Sequence, residues 1–111
     1  MLLDDIKTLI QTKVKDPIMI GSLLDENCVG LFQTGGQPPT LYFDNTMLER
    51  QGLQVVSRNK SYINALNTIK TVYKTLNKEV GFNPQQSPMF LGRNENGYAE
   101  FSVNYIIYIE E

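Results

Sequence analysis

The sequence predicts an α+β domain: a largely antiparallel sheet of about four to five strands with two main helices packed on it. Three stretches carry that reading. From Tyr98 to Glu110 apolar and polar residues alternate, with Ala99, Phe101, Val103, Tyr105, Ile107 and Ile109 on one side. Such period-two patterning marks a strand with one buried face, here about twice the usual length. Between Glu49 and Arg58, Leu53 and Val55 point one way and Gln54 the other, which makes a second half-buried strand. From Tyr62 to about Asn77 the period becomes helical, placing Tyr62, Ala65, Leu66, Ile69, Val72, Tyr73 and Leu76 on one face. A strand that can lie in a sheet, followed by a helix that must cover one, makes the central folding unit.

The remaining elements complete that sheet. Leu2, Leu3, Ile6, Leu9 and Ile10 predict a first helix from about Leu2 to Thr12, with Asp4 and Asp5 in its first turn, where the helix dipole favours them. Asp16-Pro17 stops it, because a residue before proline disfavours helical angles. Ile18-Met19-Ile20 suits a short edge strand, Gly21 to Asn27 a polar turn, and Cys28 to Thr34 a second strand weakened by Gly30. Gly35-Gly36-Gln37-Pro38-Pro39 is read as irregular, opening a loop that runs to about Asn45. Val80-Gly81 is read as the end of the long helix, with glycine as a left-handed cap, and Asn83 to Pro88 as a linker. Met89-Phe90-Leu91 follows as a short strand, and Asn94-Glu95-Asn96-Gly97 as a hairpin turn leading into the last strand.

Composition narrows the function. The 111 residues, 41% hydrophobic and 20% charged, suit one folded domain spanning residues 1–111. A net charge of −2 and a pI near 5.1 argue against bulk attraction to nucleic acid or an anionic membrane. No apolar run is long enough to span a bilayer, and Asp4 and Asp5 stand where a secretory leader would be basic, then apolar. Cys28 is the single cysteine, which excludes an internal disulfide and suits a reducing cytosol.

Reaction chemistry is sparse. The absence of histidine removes the usual general base, the triads built on it and the commonest zinc ligand. Gly35-Gly36 lacks the lysine and hydroxyl pair of a phosphate-binding loop, and Asp25-Glu26-Asn27 lacks calcium-loop spacing and reads as a solvated turn. No catalytic, metal or cofactor site is expected, and Cys28 is read as a small core residue.

Features suited to binding remain. Leu41, Tyr42 and Phe43 put three large apolar residues in succession, to be folded back over the core or offered to a partner. Arg50 and Arg58 flank the central strand, where arginine forks meet carboxylates within a fold or across an interface. The apolar tip of the last strand, with Tyr108, could extend a sheet into a neighbour. Lys70, Lys74 and Lys78, with Lys60 on the same side, form a stripe opposite the packed helix face and read as a solvated surface.

The same residues carry a resemblance. Glu49-Arg50-Gln51-Gly52-Leu53-Gln54-Val55 and Arg58-Asn59-Lys60-Ser61-Tyr62, leading through Ala65, are similar to the phage minor capsid and tail terminator family. So are Gln86-Ser87-Pro88-Met89-Phe90-Leu91-Gly92-Arg93-Asn94-Glu95-Asn96-Gly97 and Glu100-Phe101-Ser102-Val103-Asn104-Tyr105, in collinear order over essentially the whole chain. The resemblance implies a structural protein of a tailed phage or prophage, without enzymatic activity or cofactor. It implies a homo-oligomeric ring, typically a hexamer, made in the bacterial host cytoplasm and incorporated into the virion at the head–tail junction. Its implied partners are the tail tube protein and the head–tail connector. Three departures stand out: Gln51 where the family often has proline, Asn64 where an acidic residue would complete a capping box after Ser61, and a connection from Gly81 to Gln86 that looks short of a strand. The alternative from another class is a small nucleic-acid-binding α+β domain, which would show a basic surface and exposed aromatics in stacking register.

Overall fold

In the computed structural model, which describes residues 2–41 and 47–110, the C-terminal strand organises the sheet. The elements are α1 (Leu2–Ile10), β1 (Ile18–Ile20), β2 (Cys28–Leu41), β3 (Met47–Asn59), α2 (Tyr62–Leu76), β4 (Phe82–Pro84), β5 (Met89–Arg93) and β6 (Ala99–Glu110). The strands form one sheet in the order β1-β2-β3-β6-β4, with β5 also on β6. Among the described residues only the β1–β2 pair is parallel. β6 pairs with β3 along its whole length, from Asn59 opposite Ala99 to Leu48 opposite Glu110. Its other edge is shared, with β5 beside residues 99–102 and β4 beside 105–107. The predicted α+β class holds, with six strands rather than four or five.

The helices cover the face that the alternation marked. Ala99, Phe101, Val103, Tyr105 and Ile107 are buried, as are Leu53 and Val55 beside them. α2 places Ala65, Ile69, Val72 and Leu76 over these residues, and Leu3, Ile6 and Ile10 of α1 extend the same core. Ser57 also faces inward, and its Oγ satisfies itself by donating to the Ala65 carbonyl at 2.9 Å. Because Ile69 is fully buried, Ile69→Ala is expected to cost about 2–5 kcal/mol through the cavity it leaves. Urea melts should show the loss, and a smaller one for the partly buried Leu66.

Several expectations are corrected. The stretch read as a loop from Gly35 continues β2 to Leu41, because pairing with β3 overrides the poor strand propensity of glycine and proline. The register shifts between Thr34 and Gln37 and again between Gln37 and Thr40, so Pro38 and Pro39 lie between the regular pairs. β4 takes up Phe82 and the start of the stretch read as a linker from Asn83, with Phe82 paired to Ile107 and Pro84 to Tyr105, so the connection from Gly81 to Gln86 does hold a strand. α2 ends at Leu76 with Asn77 as its cap, so Gly81, at φ +87°, instead turns the chain into β4. α1 likewise stops at Ile10, short of the predicted Thr12. Ser61 does cap α2, its Oγ accepting from the Asn64 amide at 3.3 Å. The reciprocal bond of a capping box comes from upstream, where Asn59 Oδ1 accepts the Ser61 amide at 2.9 Å.

Tyr105 links the sheet to the end of α2, its hydroxyl donating to Asn77 Oδ1 at 2.9 Å. Burial pushes its pKa up from the ordinary value near 10. Below that pH folded and unfolded chains both keep the proton; above it only the folded chain does. The contribution of Tyr105 to stability is therefore full below about pH 10 and falls as pH rises further. Cys28, also raised by burial, acts in the same direction from about pH 9. Tyr105→Phe is expected to cost about 1 kcal/mol at neutral pH and to lessen the alkaline loss, as read by urea midpoints across that range.

Candidate functional site

At one end of the central strands, Arg58 stands opposite Cys28 on β2 and Glu100 on β6. Its Nε and Nη2 both donate to Glu100 Oε2, at 3.0 and 2.8 Å, and its Nη1 donates to the Leu24 carbonyl at 2.7 Å. Both side chains of the ion pair are largely buried, at 15% and 19% exposure. Of the two outcomes open for this arginine, the structure therefore displays the one within the fold. The guanidinium also helps pin the turn from Gly21 to Asn27 onto the sheet face away from the helices. Cys28 Sγ accepts the Leu24 amide at 3.3 Å, and Asn27 Oδ1 accepts the Lys60 amide at 2.9 Å. Leu23 lies over Gly30, where an added Cβ would come within 2.7 Å of it. This turn is thus a partly apolar cover, and Asn27 serves the backbone. Among the described residues no group of three His, Cys, Asp or Glu could hold a metal ion.

The other predicted binding residues fall at the opposite end. Eight positions along β3 separate Arg50 from Arg58, about 27 Å of extended chain. Arg50 pairs with Tyr108 across the β3–β6 ladder, and its guanidinium sits 5.6 Å from the Tyr108 ring centroid. Leu41, paired with Met47, closes the described part of β2 at this end. Tyr42 and Phe43 lie outside the described residues. The fold thus gathers Leu41, Arg50 and Tyr108 along the distal part of a three-stranded ribbon and leaves Arg58 elsewhere.

A third surface was not anticipated. Tyr62, read as part of the packed helix face, is 40% exposed and meets Phe90 and Phe101 with all three ring centroids 5.1 Å apart. Around this trio Ile63, Met89, Phe90 and Leu91 are each about half exposed. The signal was present in Met89-Phe90-Leu91: a strand apolar at three successive positions cannot bury all of them on one face.

The lysine stripe of α2, Lys70, Lys74 and Lys78, is exposed as expected, while Lys60 lies 5.3 Å from the Tyr98 ring centroid. A polar pocket of about 260 Å³ opens between the end of α1 and α2, lined by Lys13, Asp16, Asn59, Asn64, Asn67 and Thr71 among others. Within it Asn59 Nδ2 donates to Asp16 Oδ2 at 3.3 Å, an arrangement that ties two elements together.

Comparison with known families adds one match. Residues 18–111, everything from β1 onward, match the model of a family described as bacteriophage tail terminator protein. No curated protein matches the chain.

Proposed function

Because this chain belongs to the bacteriophage tail terminator family, a structural family of the phage tail, we propose that it assembles as a ring at the head-proximal end of the tail tube. There it ends tube growth and joins the tail to the head connector. The family match from β1 to the C-terminus carries this reading, and it points to a component of the virion. The fold is suited to it: a single sheet with different open edges on its two sides can make heterologous contacts, which close into rings when the rotation allows. A hexamer is the proposed ring. The distal ribbon, with Leu41, Arg50 and Tyr108 and the adjoining Tyr42 and Phe43, is the proposed surface toward the tube or the connector.

The test is deletion of the gene in its phage, read by electron microscopy. Tails of abnormal length and heads left without tails are the expected result. Tails of normal length joined to normal heads would overturn the function.

A further inference from the structure

We propose that the outer edge of β5, wrapped by Met89, Phe90 and Leu91 and flanked by Tyr62, receives a second copy of this chain along that copy's β2 edge. The inference rests on the ring reading above and names the subunit contact within it.

Among the described residues β5 pairs with β6 alone, so the backbone groups of its outer edge have no strand beside them. On the far side of the sheet β1 pairs with β2 only at Val29, Gly30 and Leu31. From Phe32 onward the outer edge of β2 is unpaired among the described residues. Pro38 and Pro39 lack amide donors, which limits the edge able to accept a strand to residues 32–37, close to the length of β5. One sheet therefore presents two different open edges on opposite sides, as a head-to-tail contact requires.

Apolar area and charge favour a second copy as the occupant. Tyr62, Ile63, Met89, Phe90 and Leu91 are 40–58% exposed. At roughly 100 Å² each this is about 500 Å² of apolar surface, enough for the core of an interface burying about 800 Å² per partner. The residues lie on both sides of the edge: Phe90 pairs with Phe101 on the helix-covered face, Met89 pairs with Ser102 on the other, and Leu91 falls in the register shift between Phe90 and Gly92. Free edge strands usually carry charges that discourage pairing. β2 has no charged residue from Cys28 to Leu41. On β5 the one charge, Arg93, turns back to the carbonyls of Lys60 and Gly97 at 3.2 and 2.7 Å. A charge-free strand complements an apolar edge, whereas a nucleic acid or a charged protein surface would leave its charges unpaired there.

The experiment mixes two single-cysteine additions, Leu91→Cys and Gln33→Cys, in tails assembled in the phage, with the buried Cys28 left in place. Mild oxidation should link Leu91→Cys of one chain to Gln33→Cys of another, and neither variant should link to itself. Leu91→Asp should keep the wild-type urea midpoint and lower the yield of tailed particles at least about tenfold, since each tenfold corresponds to only 1.4 kcal/mol of lost contact. Rings that form normally without the cross-link would overturn this contact and leave the ring reading intact. So would self-linking of Leu91→Cys, or its linking to the tube protein. Tails and heads unaffected by deletion of the gene would remove both. The cross-link stands independently of whether Leu91→Asp folds.

Discussion

Arg58→Glu is expected to destabilise the fold of the subunit itself rather than merely weaken its assembly. The substitution sets a carboxylate against Glu100 in a site where both native side chains are less than one-fifth exposed. It also removes the donor to the Leu24 carbonyl, and so one of the ties that hold the Gly21-to-Asn27 turn on the sheet. Removing one partner of a fully buried ion pair costs about 3–5 kcal/mol; partial exposure lowers that figure, and charge reversal raises it again. A loss of about 3 kcal/mol is a large part of the stability of a domain this size. Glu100→Gln should cost less, since an amide oxygen can still accept from the guanidinium. The swapped pair Arg58→Glu with Glu100→Arg should recover only part of the loss, because the Leu24 carbonyl regains no donor. Urea midpoints of the four proteins decide it. A midpoint for Arg58→Glu within experimental error of wild type would mean that the pair contributes nothing to the fold.

The parts of the molecule that sequence could reveal are those in which periodicity meets burial. β6 was legible because one face of it, from Ala99 to Ile107, is buried under the helices. α2 was legible because Ala65, Ile69, Val72 and Leu76 recur at helical spacing. β4 was not, since three residues that include Asn83 and Pro84 have no period, and Phe82 becomes a strand residue only by lying beside Ile107. The second half of β2 was hidden by Gly35-Gly36 and Pro38-Pro39, whose propensities are overridden by a neighbouring strand. The role of Arg58 depended on a carboxylate 42 residues away, a distance that no local pattern bridges. The apolar edge at β5 was legible in part, as a run of three apolar residues, but its place at the margin of the sheet was not.

Gly52→Val is expected to be the most damaging small substitution in the sheet. Gly52 stands in the central strand, between Thr34 on β2 and Ile106 on β6. A Cβ built there would lie 2.1 Å from Thr34 Oγ1, 2.7 Å from the Gly35 carbonyl oxygen and 3.0 Å from that of Thr34. The first of these can rotate away; the two carbonyls belong to the backbone of β2, where its register with β3 is about to shift. Accommodating even a methyl group therefore means moving one strand against another, and overpacking of this kind costs about 1–3 kcal/mol, with valine at or above the upper end. Gly35→Ala is the matched control, because a Cβ at Gly35 has nothing within 4 Å, and it should change stability by less than about half a kcal/mol. Thr34→Gly placed in a Gly52→Ala background should relieve the side-chain clash and leave that with the Gly35 carbonyl, so recovery should be partial. Full recovery would assign the whole cost to Thr34. A Gly52→Val protein with a wild-type urea midpoint would mean that β2 does not pass this close to β3, and that the register shift after Thr34 is misplaced.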